Sequence, residues 1–367
     1  MKIILAAGAR PNFMKVAPIL EALEARRRAG RPVEPRLVHT GQHYDRRMSE
    51  EFFADLGLPA PDRNLGVGSG SHAQQTARVM VAFEEVCLEE RPDWVVVVGD
   101  VNSTLACALA AKKLGLRLAH VEAGLRSRDM SMPEEINRLC TDAIADLLFT
   151  TDRIASENLR REGVEEARIR LVGNTMIDSL YRHLPRARSL PLPEGLEAGR
   201  YAVLTLHRPG NVDDPPRLLG ILAAVSDLAR RLPVIFPAHP RTRAHLDRLG
   251  WRPQPQLDGR LRLTEPLSYL PFLGLVARAR LVLTDSGGLQ EETTVLGVPC
   301  LTLRETTERP ITCQIGTNIL VGSAPERIRA AAWSVLENGR RPAAVPEHWD
   351  GRAGERIAAC LLEQASG

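Results

Sequence analysis

Short apolar runs alternate with helical patterns along the whole chain. The runs are continuously apolar, as in the Trp-Val-Val-Val-Val segment at 94–98, and this is typical of parallel strands buried on both faces. The pattern therefore predicts doubly wound α/β domains. The predicted strands are residues 3–7, 36–40, 94–98, 118–122, 147–150, 169–172, 202–206, 234–237, 281–283, 300–303 and 319–321. The predicted helices of the first half are residues 15–28, 72–91, 104–114 and 133–145.

A Pro-, Arg- and Leu-rich stretch at 183–200 interrupts this periodicity and is typical of a linker. The chain has 367 residues, enough for two domains. We predict an N-terminal Rossmann-like domain over 1–182, a second one over 201–350, and a closing helix within 351–367. Two such domains would place a cleft between two sets of strand carboxyl ends, where α/β sheets bind ligands. Whether the closing helix packs on the first domain stays open.

Composition narrows the class of protein. The chain is 44% hydrophobic and 25% charged, which is typical of a globular protein. Its net charge is +3, with arginines interspersed among acidic residues, so no nucleic-acid partner is expected. No apolar run reaches the length of about 18 residues that a membrane span needs. The six cysteines form no C-x-x-C pair, which favours a reducing, cytoplasmic location.

The segment after the predicted strand at 281–283 has the pattern of an anion site. Asp285 and Ser286 stand at a helix N-cap position, followed by Gly287 and Gly288. Backbone N–H groups and the dipole at such a helix start favour a phosphate. Glu292 follows one turn later on the same face, where its carboxylate could accept hydrogen bonds from a ribose. The alternative is an ordinary strand–helix turn with a good cap.

Other candidate ligands follow strands of the second half. His207, Arg208 and His239 stand at strand ends and together suggest donors for a diphosphate, although a single histidine there is more often a cap or core residue. Phe272 either stacks on a base or belongs to the core. Arg309 lies in a dense polar loop at 304–310, which we expect to form another wall of the cleft.

In the first half, Arg10 and Lys15 flank a predicted helix start. Cations there oppose the helix dipole, so either an anion fills the gap or the two form a solvated basic patch. After the next strand, Gln42, His43 and Asp45 form a polar loop without a clear role.

Carboxylates follow two further strands. Asp100 could cap the next helix or act in the cleft, and capping is favoured from the residue alone. Glu122 ends a buried strand, where a carboxylate is costly unless it is paired or functional. Helix-dipole complementarity explains one of Glu134 and Glu135 in a predicted first turn. Asp100, Glu122 and Glu134 all map to the cleft side, and gathered carboxylates suit acid–base chemistry. No histidine accompanies them at ligand spacing, so no metal is expected.

These segments, in this order, closely resemble the non-hydrolysing UDP-N-acetylglucosamine 2-epimerases. The resemblance extends to about Gly322 and implies a glycosyltransferase-B-like fold, a UDP-sugar substrate and a homodimer. It also implies reversible conversion of UDP-N-acetylglucosamine to UDP-N-acetylmannosamine. The matching motifs are Gly8-Ala-Arg-Pro11, Thr40-Gly-Gln-His43, Gly99-Asp100, His120-Val-Glu-Ala-Gly-Leu-Arg126, Pro133-Glu-Glu-Ile-Asn-Arg138, Gly173-Asn-Thr-Met-Ile-Asp178, Asp285-Ser-Gly-Gly-Leu-Gln-Glu-Glu292 and Thr307-Glu-Arg-Pro310.

The resemblance assigns roles by position. The catalytic group comprises Asp100, Glu122, Glu134, His207 and Lys15. The UDP-binding group comprises Arg10, His207, His239, Phe272, Ser286, Gly287, Gly288, Glu292 and Arg309. The family reaction eliminates UDP to give a bound 2-acetamidoglucal and then adds UDP back, and it requires neither metal nor nicotinamide cofactor. Consistently, Gly8-Ala-Arg-Pro11 lacks the G-x-G-x-x-G dinucleotide pattern.

Some positions depart from the family pattern. Gly210 replaces a glutamate common after the His-Arg pair, and Val101-Asn-Ser-Thr104 replaces a threonine run. The loop at 44–48 is unlike that of the bacterial enzymes that substrate also activates, so allosteric activation gains no support. Relatives that act on diacetamido uronic acids share the same motifs, which leaves the sugar open.

Three rival functions remain. A hydrolysing 2-epimerase would release N-acetylmannosamine and UDP, and only product analysis separates it from the non-hydrolysing class. A glycosyltransferase of the same fold needs an acceptor groove. A nucleotide-sugar sensor would keep the pocket without turnover, and the intact carboxylates count against it.

Overall fold

The computed structural model describes residues 1–41, 57, 59–339 and 343–364, and for Arg10 only the backbone. The chain divides into two compact units. The first unit is Met1–Arg182 together with Glu347–Gly367, and the second is His183–Pro346.

The first unit is built on a parallel sheet with strand order β3-β2-β1-β4-β5-β6-β7. Its central strands are the continuous apolar runs of the sequence, and all five residues of Trp94–Val98 are buried. The strands are β1 Lys2–Ala7, β2 Glu34–His39, β3 Arg63–Asn64, β4 Trp94–Val98, β5 Arg117–Ala123, β6 Leu147–Thr150 and β7 Ile169–Leu171. The helices are α1 Arg10–Arg28, α2 His72–Glu90, α3 Asn102–Lys113, α4 Pro133–Ile144, α5 Arg153–Arg161 and α6 Thr175–Ser189, with a 3₁₀ turn at Glu166–Arg168.

The second unit repeats this architecture with a parallel sheet in the order β10-β9-β8-β11-β12-β13. Its strands are β8 Ala202–Thr205, β9 Val234–Pro237, β10 Leu261–Thr264, β11 Leu281–Thr284, β12 Cys300–Thr302 and β13 Asn318–Leu320. Its helices are α7 Pro209–Val212, α8 Pro215–Ala229, α9 Pro240–Arg248, α10 Tyr269–Val276, α11 Gly287–Leu296, α12 Pro310–Gln314 and α13 Pro325–Asn338, with a 3₁₀ turn at Pro255–Leu257. The predicted α/β class with two Rossmann-like domains is therefore confirmed.

Each sheet has a topological switch point. In the first unit the chain moves outward from β1 and returns at β4, which pairs with β1 on its other side. In the second unit the same happens between β8 and β11. Loops on either side of such a point diverge and leave a crevice at the strand carboxyl ends. Several candidate residues lie at the ends of these four strands and of β5, and His239 and Arg309 follow β9 and β12.

Two segments differ from the sequence prediction or extend it. The predicted linker at 183–200 begins within α6, which continues to Ser189 past Pro185. Ala187, near the end of this helix, packs closely on Gly274, where an added Cβ would lie 2.3 Å from the Ala187 carbonyl oxygen. The closing helix, α14 Ala353–Glu363, belongs to the first unit and contacts α1.

Candidate active site

A buried ion pair occupies the switch point of the first unit. Lys15, in the second turn of α1, pairs with Glu122 at the end of β5, and both side chains are buried. Glu122 has a φ of 72° where the register between β5 and β6 shifts. A left-handed backbone is strained for a residue with a side chain, at a cost of order 1 kcal/mol, and such strain is concentrated at functional sites. Lys15 therefore contacts a protein carboxylate rather than belonging to a solvated basic patch.

Gly99 and Asn12 surround this pair. Gly99 has a φ of 68°, and an added Cβ would lie 3.0 Å from Lys15 Nζ and 3.4 Å from Glu122 Oε2. Asn12 accepts from the Ala9 N–H at 2.8 Å and donates to the Val98 carbonyl at 3.1 Å. Sequence reasoning did not single out Asn12, although a polar residue at the third position of a helix can bond back to the preceding loop.

Asp100 pairs with a buried arginine instead of capping α3. Its Oδ2 lies 2.9 Å from Arg138 Nη1, and Val101 occupies the N-cap of α3 without a side-chain cap. The capping role favoured from sequence is therefore wrong. The Asp100 carboxylate binds Arg138 on α4, and this contact between residues distant in sequence cannot be read from the local pattern.

The neighbouring glutamates of α4 have different environments. Glu135 is buried and accepts from the N–H groups of Ser127 and Arg128, each at 2.9 Å. Burial alone would raise the pKa of Glu135, but these hydrogen bonds and the Arg138 charge hold it below its ordinary value. Glu134 is half-buried and makes no hydrogen bond or ion pair with the described side chains and backbone. Glu135 thus anchors the loop before α4, and a catalytic role for Glu134 stays a prediction.

An Asp–His pair occupies the switch point of the second unit. Asp285 is fully buried and accepts from the Arg208 N–H at 3.0 Å, from the Asn211 amide at 3.2 Å and from His207 Nδ1 at 2.8 Å. Burial raises the pKa of Asp285, but the His207 side chain outweighs it and lowers the pKa. The N-cap of α11 is Ser286, so Asp285 orients His207 and the following loop. The His207 side chain is 40% exposed while its Nδ1 contacts Asp285, and its binding of a diphosphate stays a prediction.

His239 presents a second imidazole. It is the N-cap of α9, where Nδ1 accepts from the Arg241 N–H at 3.2 Å, so its proton is on Nε2. Burial and the neighbouring His207 charge lower the pKa of His239. Its ring centroid lies 6.4 Å from that of His207. The two histidines predicted as diphosphate donors are therefore brought together.

The start of α11 is packed against Arg309. At Gly287 an added Cβ would lie 2.5 Å from Arg309 Nη1 and 2.8 Å from Glu308 Oε1. Arg309 donates from Nε to Glu291 at 2.6 Å and from Nη1 to Glu308 at 2.5 Å. Glycine at 287 is thus required by the protein itself. Ser286 has no side-chain cap to the helix, and the first N–H groups of α11 have no intrahelical acceptor.

Glu308 lies among three arginines. Arg309, Arg304 and Arg208 approach its carboxylate at 2.5, 2.8 and 3.6 Å. Burial raises the pKa of Glu308, but these charges outweigh it and hold the pKa far below its ordinary value. Three guanidinium groups against two carboxylates, Glu308 and Glu291, leave this region cationic. Sequence reasoning missed Arg304 and Glu308, although the density of charge at 304–309 was a signal.

Glu292 and Phe272 complete the predicted UDP-binding group. Glu292 is buried in α11, and burial together with the Glu291 charge raises its pKa to about 8. The Tyr269 hydroxyl lies 3.5 Å from Glu292 Oε1. Phe272 is half-buried against the core around Val282, which agrees with its core alternative, and stacking on a base stays a prediction.

Some predicted residues lie outside the described part of the chain. These are Gln42, His43, Asp45 and the loop at 44–48, together with the Arg10 side chain. Within the described part, no three His, Cys, Asp or Glu side chains are grouped as a metal ion would require. In that same part, no helix is long and apolar enough to cross a membrane.

Known proteins resemble this chain over nearly its full length. The family model described as UDP-N-acetylglucosamine 2-epimerase matches residues 25–362. A UDP-N-acetylglucosamine 2-epimerase of Methanocaldococcus jannaschii is 42% identical over 371 residues, covering 98% of this chain and 99% of the relative. A UDP-2,3-diacetamido-2,3-dideoxy-D-glucuronate 2-epimerase of Pseudomonas aeruginosa is 44% identical over 342 residues, covering 92% of each chain.

A solved structure agrees with this result. The Methanocaldococcus jannaschii UDP-GlcNAc 2-epimerase, crystallised in complex with UDP-GlcNAc and UDP, superposes with a TM-score of 0.85 at 42% identity, covering 99% of this chain and 100% of the other. The resemblance inferred from the motifs is thereby confirmed. From the strand-end carboxylates, the paired histidines and these matches together, it follows that this chain belongs to the UDP-N-acetylglucosamine 2-epimerase family of enzymes.

Proposed function

We propose that the protein interconverts UDP-N-acetylglucosamine and UDP-N-acetylmannosamine without net hydrolysis. Family membership supports the substrate class. The main structural support for this chemistry comes from Glu122. It is a buried carboxylate with a left-handed backbone, and it pairs with Lys15 at a topological switch point. Strain and burial of a charge are both costly, and their combination at a strand end favours a catalytic role.

The C2 proton of the sugar is not acidic enough for simple abstraction by a carboxylate, and elimination avoids this difficulty. A carboxylate removes the C2 proton while the C1–O bond breaks and its electron pair leaves with UDP. The product is a bound 2-acetamidoglucal. UDP then adds back to C1 while a proton is delivered to the opposite face of C2, so atoms and charge balance over the cycle.

The second unit supplies groups that suit the departing diphosphate. His207 is oriented by Asp285, and His239 carries its proton on Nε2. The free N–H groups at the start of α11 and the cationic region around Arg309 add fixed positive potential. In this proposal Glu292 binds the ribose hydroxyls. Arg10 and Phe272 complete the UDP contacts that the resemblance implies.

The first unit supplies candidates for proton transfer at C2. Glu122 has Lys15 as an immediate cationic partner, Asp100 is held by Arg138, and Glu134 has no protein partner among the described residues. Two of these carboxylates are needed because the proton leaves and arrives on opposite faces. We propose Glu122 and Glu134 for these roles. Asp100 follows β4, the neighbour of β5 in the sheet, and is the third candidate.

The decisive experiment is proton NMR of the enzyme with UDP-N-acetylglucosamine in deuterated water, without added metal or nicotinamide. UDP-N-acetylmannosamine carrying deuterium at C2 would establish the reaction. Free N-acetylmannosamine together with UDP would instead place the protein in the hydrolysing class. An unchanged spectrum in which UDP-sugar nevertheless binds would support the sensor alternative.

A matched pair of variants tests the catalytic role of Glu122. Glu122→Gln keeps the shape of the side chain and removes its ability to take a proton, so kcat should fall by at least about 10²-fold. The control, Glu89→Gln, removes an exposed carboxylate that pairs with Arg63 on the surface. Near-normal turnover of Glu122→Gln would remove Glu122 from the acid–base groups.

A second candidate substrate is a UDP-linked diacetamido uronic acid. The observation that favours it is the 44% identity to the Pseudomonas aeruginosa enzyme that is named for that sugar. Comparison of kcat/KM for the two nucleotide sugars would decide between them.

We also propose a homodimer on the family resemblance, which light scattering during gel filtration would test.

A further inference from the structure

The imidazole of His120 is fully buried in β5, and both of its nitrogens face acceptors. Nε2 lies 2.8 Å from the carbonyl oxygen of Gly99, and Nδ1 lies 2.6 Å from Oδ1 of Asp142. A carbonyl oxygen can only accept, so Nε2 carries a proton. On its other side the ring meets the carboxyl group of Asp142.

Asp142 is held as a carboxylate. Its other oxygen accepts from the Gly124 N–H at 3.0 Å and pairs with Arg126 Nη1 at 2.7 Å. Burial raises the pKa of Asp142, but the charges and hydrogen bonds of His120 and Arg126 outweigh it and lower the pKa. The contact between Nδ1 and Oδ1 fixes the plane of the imidazole ring and points Nε2 at the Gly99 carbonyl.

The buried polar groups continue from Asp142 to Arg126. Arg126 pairs with Asp142 at 2.7 Å and with the exposed Glu162, whose Oε2 lies 2.6 Å from Arg126 Nη2. Burying His120, Asp142 and Arg126 together is costly, even when they are paired. Apolar residues could fill the same space at less cost, so the network suggests a task beyond stability.

The network ends at Gly99, which borders the proposed acid–base groups. The Gly99 N–H donates to the Val121 carbonyl at 3.0 Å, and its own carbonyl accepts from His120, so β5 holds both of its polar groups. The glycine lies directly against the Lys15–Glu122 pair, with its unoccupied Cβ position 3.0 Å from Lys15 Nζ. Its carbonyl also belongs to the peptide group that joins it to Asp100.

We propose that His120 is a positioning residue, which acts through the Gly99 carbonyl to hold the Gly99–Asp100 peptide against the Lys15–Glu122 pair. The inference rests on the proposed function, because it assigns these groups to proton transfer at C2. His120 itself is enclosed by protein and does not meet the substrate. Nothing in the reaction scheme above assigns it a role.

Two variants separate the two hydrogen bonds of the imidazole. In His120→Gln the amide nitrogen can take the place of Nε2 and keep the donor to Gly99, while Asp142 loses its contact with the ring and keeps Arg126 and the Gly124 N–H. In His120→Asn the amide nitrogen takes the place of Nδ1 and keeps the donor to Asp142, while Gly99 loses its partner. Each variant thus removes what the other retains.

The two variants should rank in one order by kcat and in the opposite order by stability. His120→Asn should lower kcat by about 100-fold, the effect of misplacing catalytic groups by about 1 Å, with little change in KM or in UDP affinity. His120→Gln should stay within about tenfold of wild type, although it leaves Oδ1 of the buried Asp142 without its His120 partner and should be the less stable protein. Equal kcat values, or kcat values that follow thermal stability, would overturn the proposal.

A second measurement does not depend on turnover. With ¹⁵N-labelled histidine, NMR of the wild-type enzyme should show a proton on Nε2 of His120, with the resonance identified by its loss in His120→Asn. A ring without a proton on Nε2 would overturn the proposal. Absence of C2 exchange in wild type with either sugar would instead refute the proposed function, and this spectrum would still show whether Nε2 donates to Gly99.

Discussion

At the scale of single residues, two adjacent glutamates of α4 are expected to behave differently. Glu135→Gln removes the ion pair with Arg138, which is 2.7 Å away in a buried environment, and should lower the free energy of unfolding by about 2 kcal/mol. Glu134→Gln should change stability by less than about 0.5 kcal/mol but lower kcat by at least about 10²-fold. Urea unfolding and C2 deuterium exchange measure the two effects. The reverse pattern would exchange the roles of the two residues.

Glu292 should make stability depend on pH. Its folded-state pKa of about 8 lies above the ordinary value of 4.5, so the folded protein binds this proton more tightly than the unfolded chain does. The contribution of Glu292 to the free energy of unfolding is therefore fully present below pH 4.5 and is lost as pH rises toward 8.

The control for this prediction is Glu292→Gln, which resembles the protonated acid and does not titrate. Thermal unfolding of both proteins across this range isolates Glu292, because other titrating groups are common to the two. The variant should gain stability relative to wild type as pH rises. An unchanging difference between them would show that Glu292 titrates at its ordinary value.

At the scale of elements, the start of α11 tests how the anion site is built. Gly287→Ala places a methyl group 2.5 Å from Arg309 Nη1 and 2.8 Å from Glu308 Oε1, so this buried cluster must move. We expect a loss of about 1–3 kcal/mol in stability and weaker UDP binding by calorimetry. Gly210→Ala is the control, because its added methyl would meet only Arg217 Nη1 at 3.8 Å. Equal UDP affinities would mean that the packing at Gly287 does not shape the site.

The same elements show what sequence can predict. Continuous apolar runs identify the central strands, and the observed β4 and β9 have the predicted bounds. Local patterns also place the candidate residues correctly at strand ends. They fail where a polar side chain has two possible partners, as for Asp100, which binds Arg138 from another element, and for Asp285, which orients His207 instead of capping α11. Such choices depend on contacts between residues that are distant in sequence.

At the scale of the whole molecule, the two units share the same topological feature. Each has a parallel sheet whose order reverses once, and each carries its polar cluster beside that reversal. The charge of the clusters differs, since carboxylates prevail among the candidates of the first unit and cations around α11 in the second. The division agrees with the chemistry proposed, because a proton must be taken from carbon and a diphosphate must be stabilised.

The return of the chain to the first unit is the feature that local sequence patterns leave open, and several contacts within that unit hold it. Trp349 is buried and donates from Nε1 to the Thr151 carbonyl at 2.9 Å. Asp178 accepts from the N–H groups of Ala353 and Gly354 at 3.1 and 2.7 Å, which satisfies the start of α14. At Gly354 an added Cβ would lie 2.6 Å from the Pro18 carbonyl oxygen, so α14 lies directly on α1.

Trp349→Ala should therefore weaken the first unit selectively, by about 3–5 kcal/mol. Hydrogen exchange should become faster in α1 and α14, while α8 and α13 stay protected. Trp333→Ala is the matched control, because Trp333 packs against the core of the second unit and its loss should expose α13 instead. Trp349→Phe, which keeps most of the buried area and loses only the hydrogen bond, should cost about 1 kcal/mol. Faster exchange confined to the second unit in Trp349→Ala would contradict the assignment of the closing segment to the first.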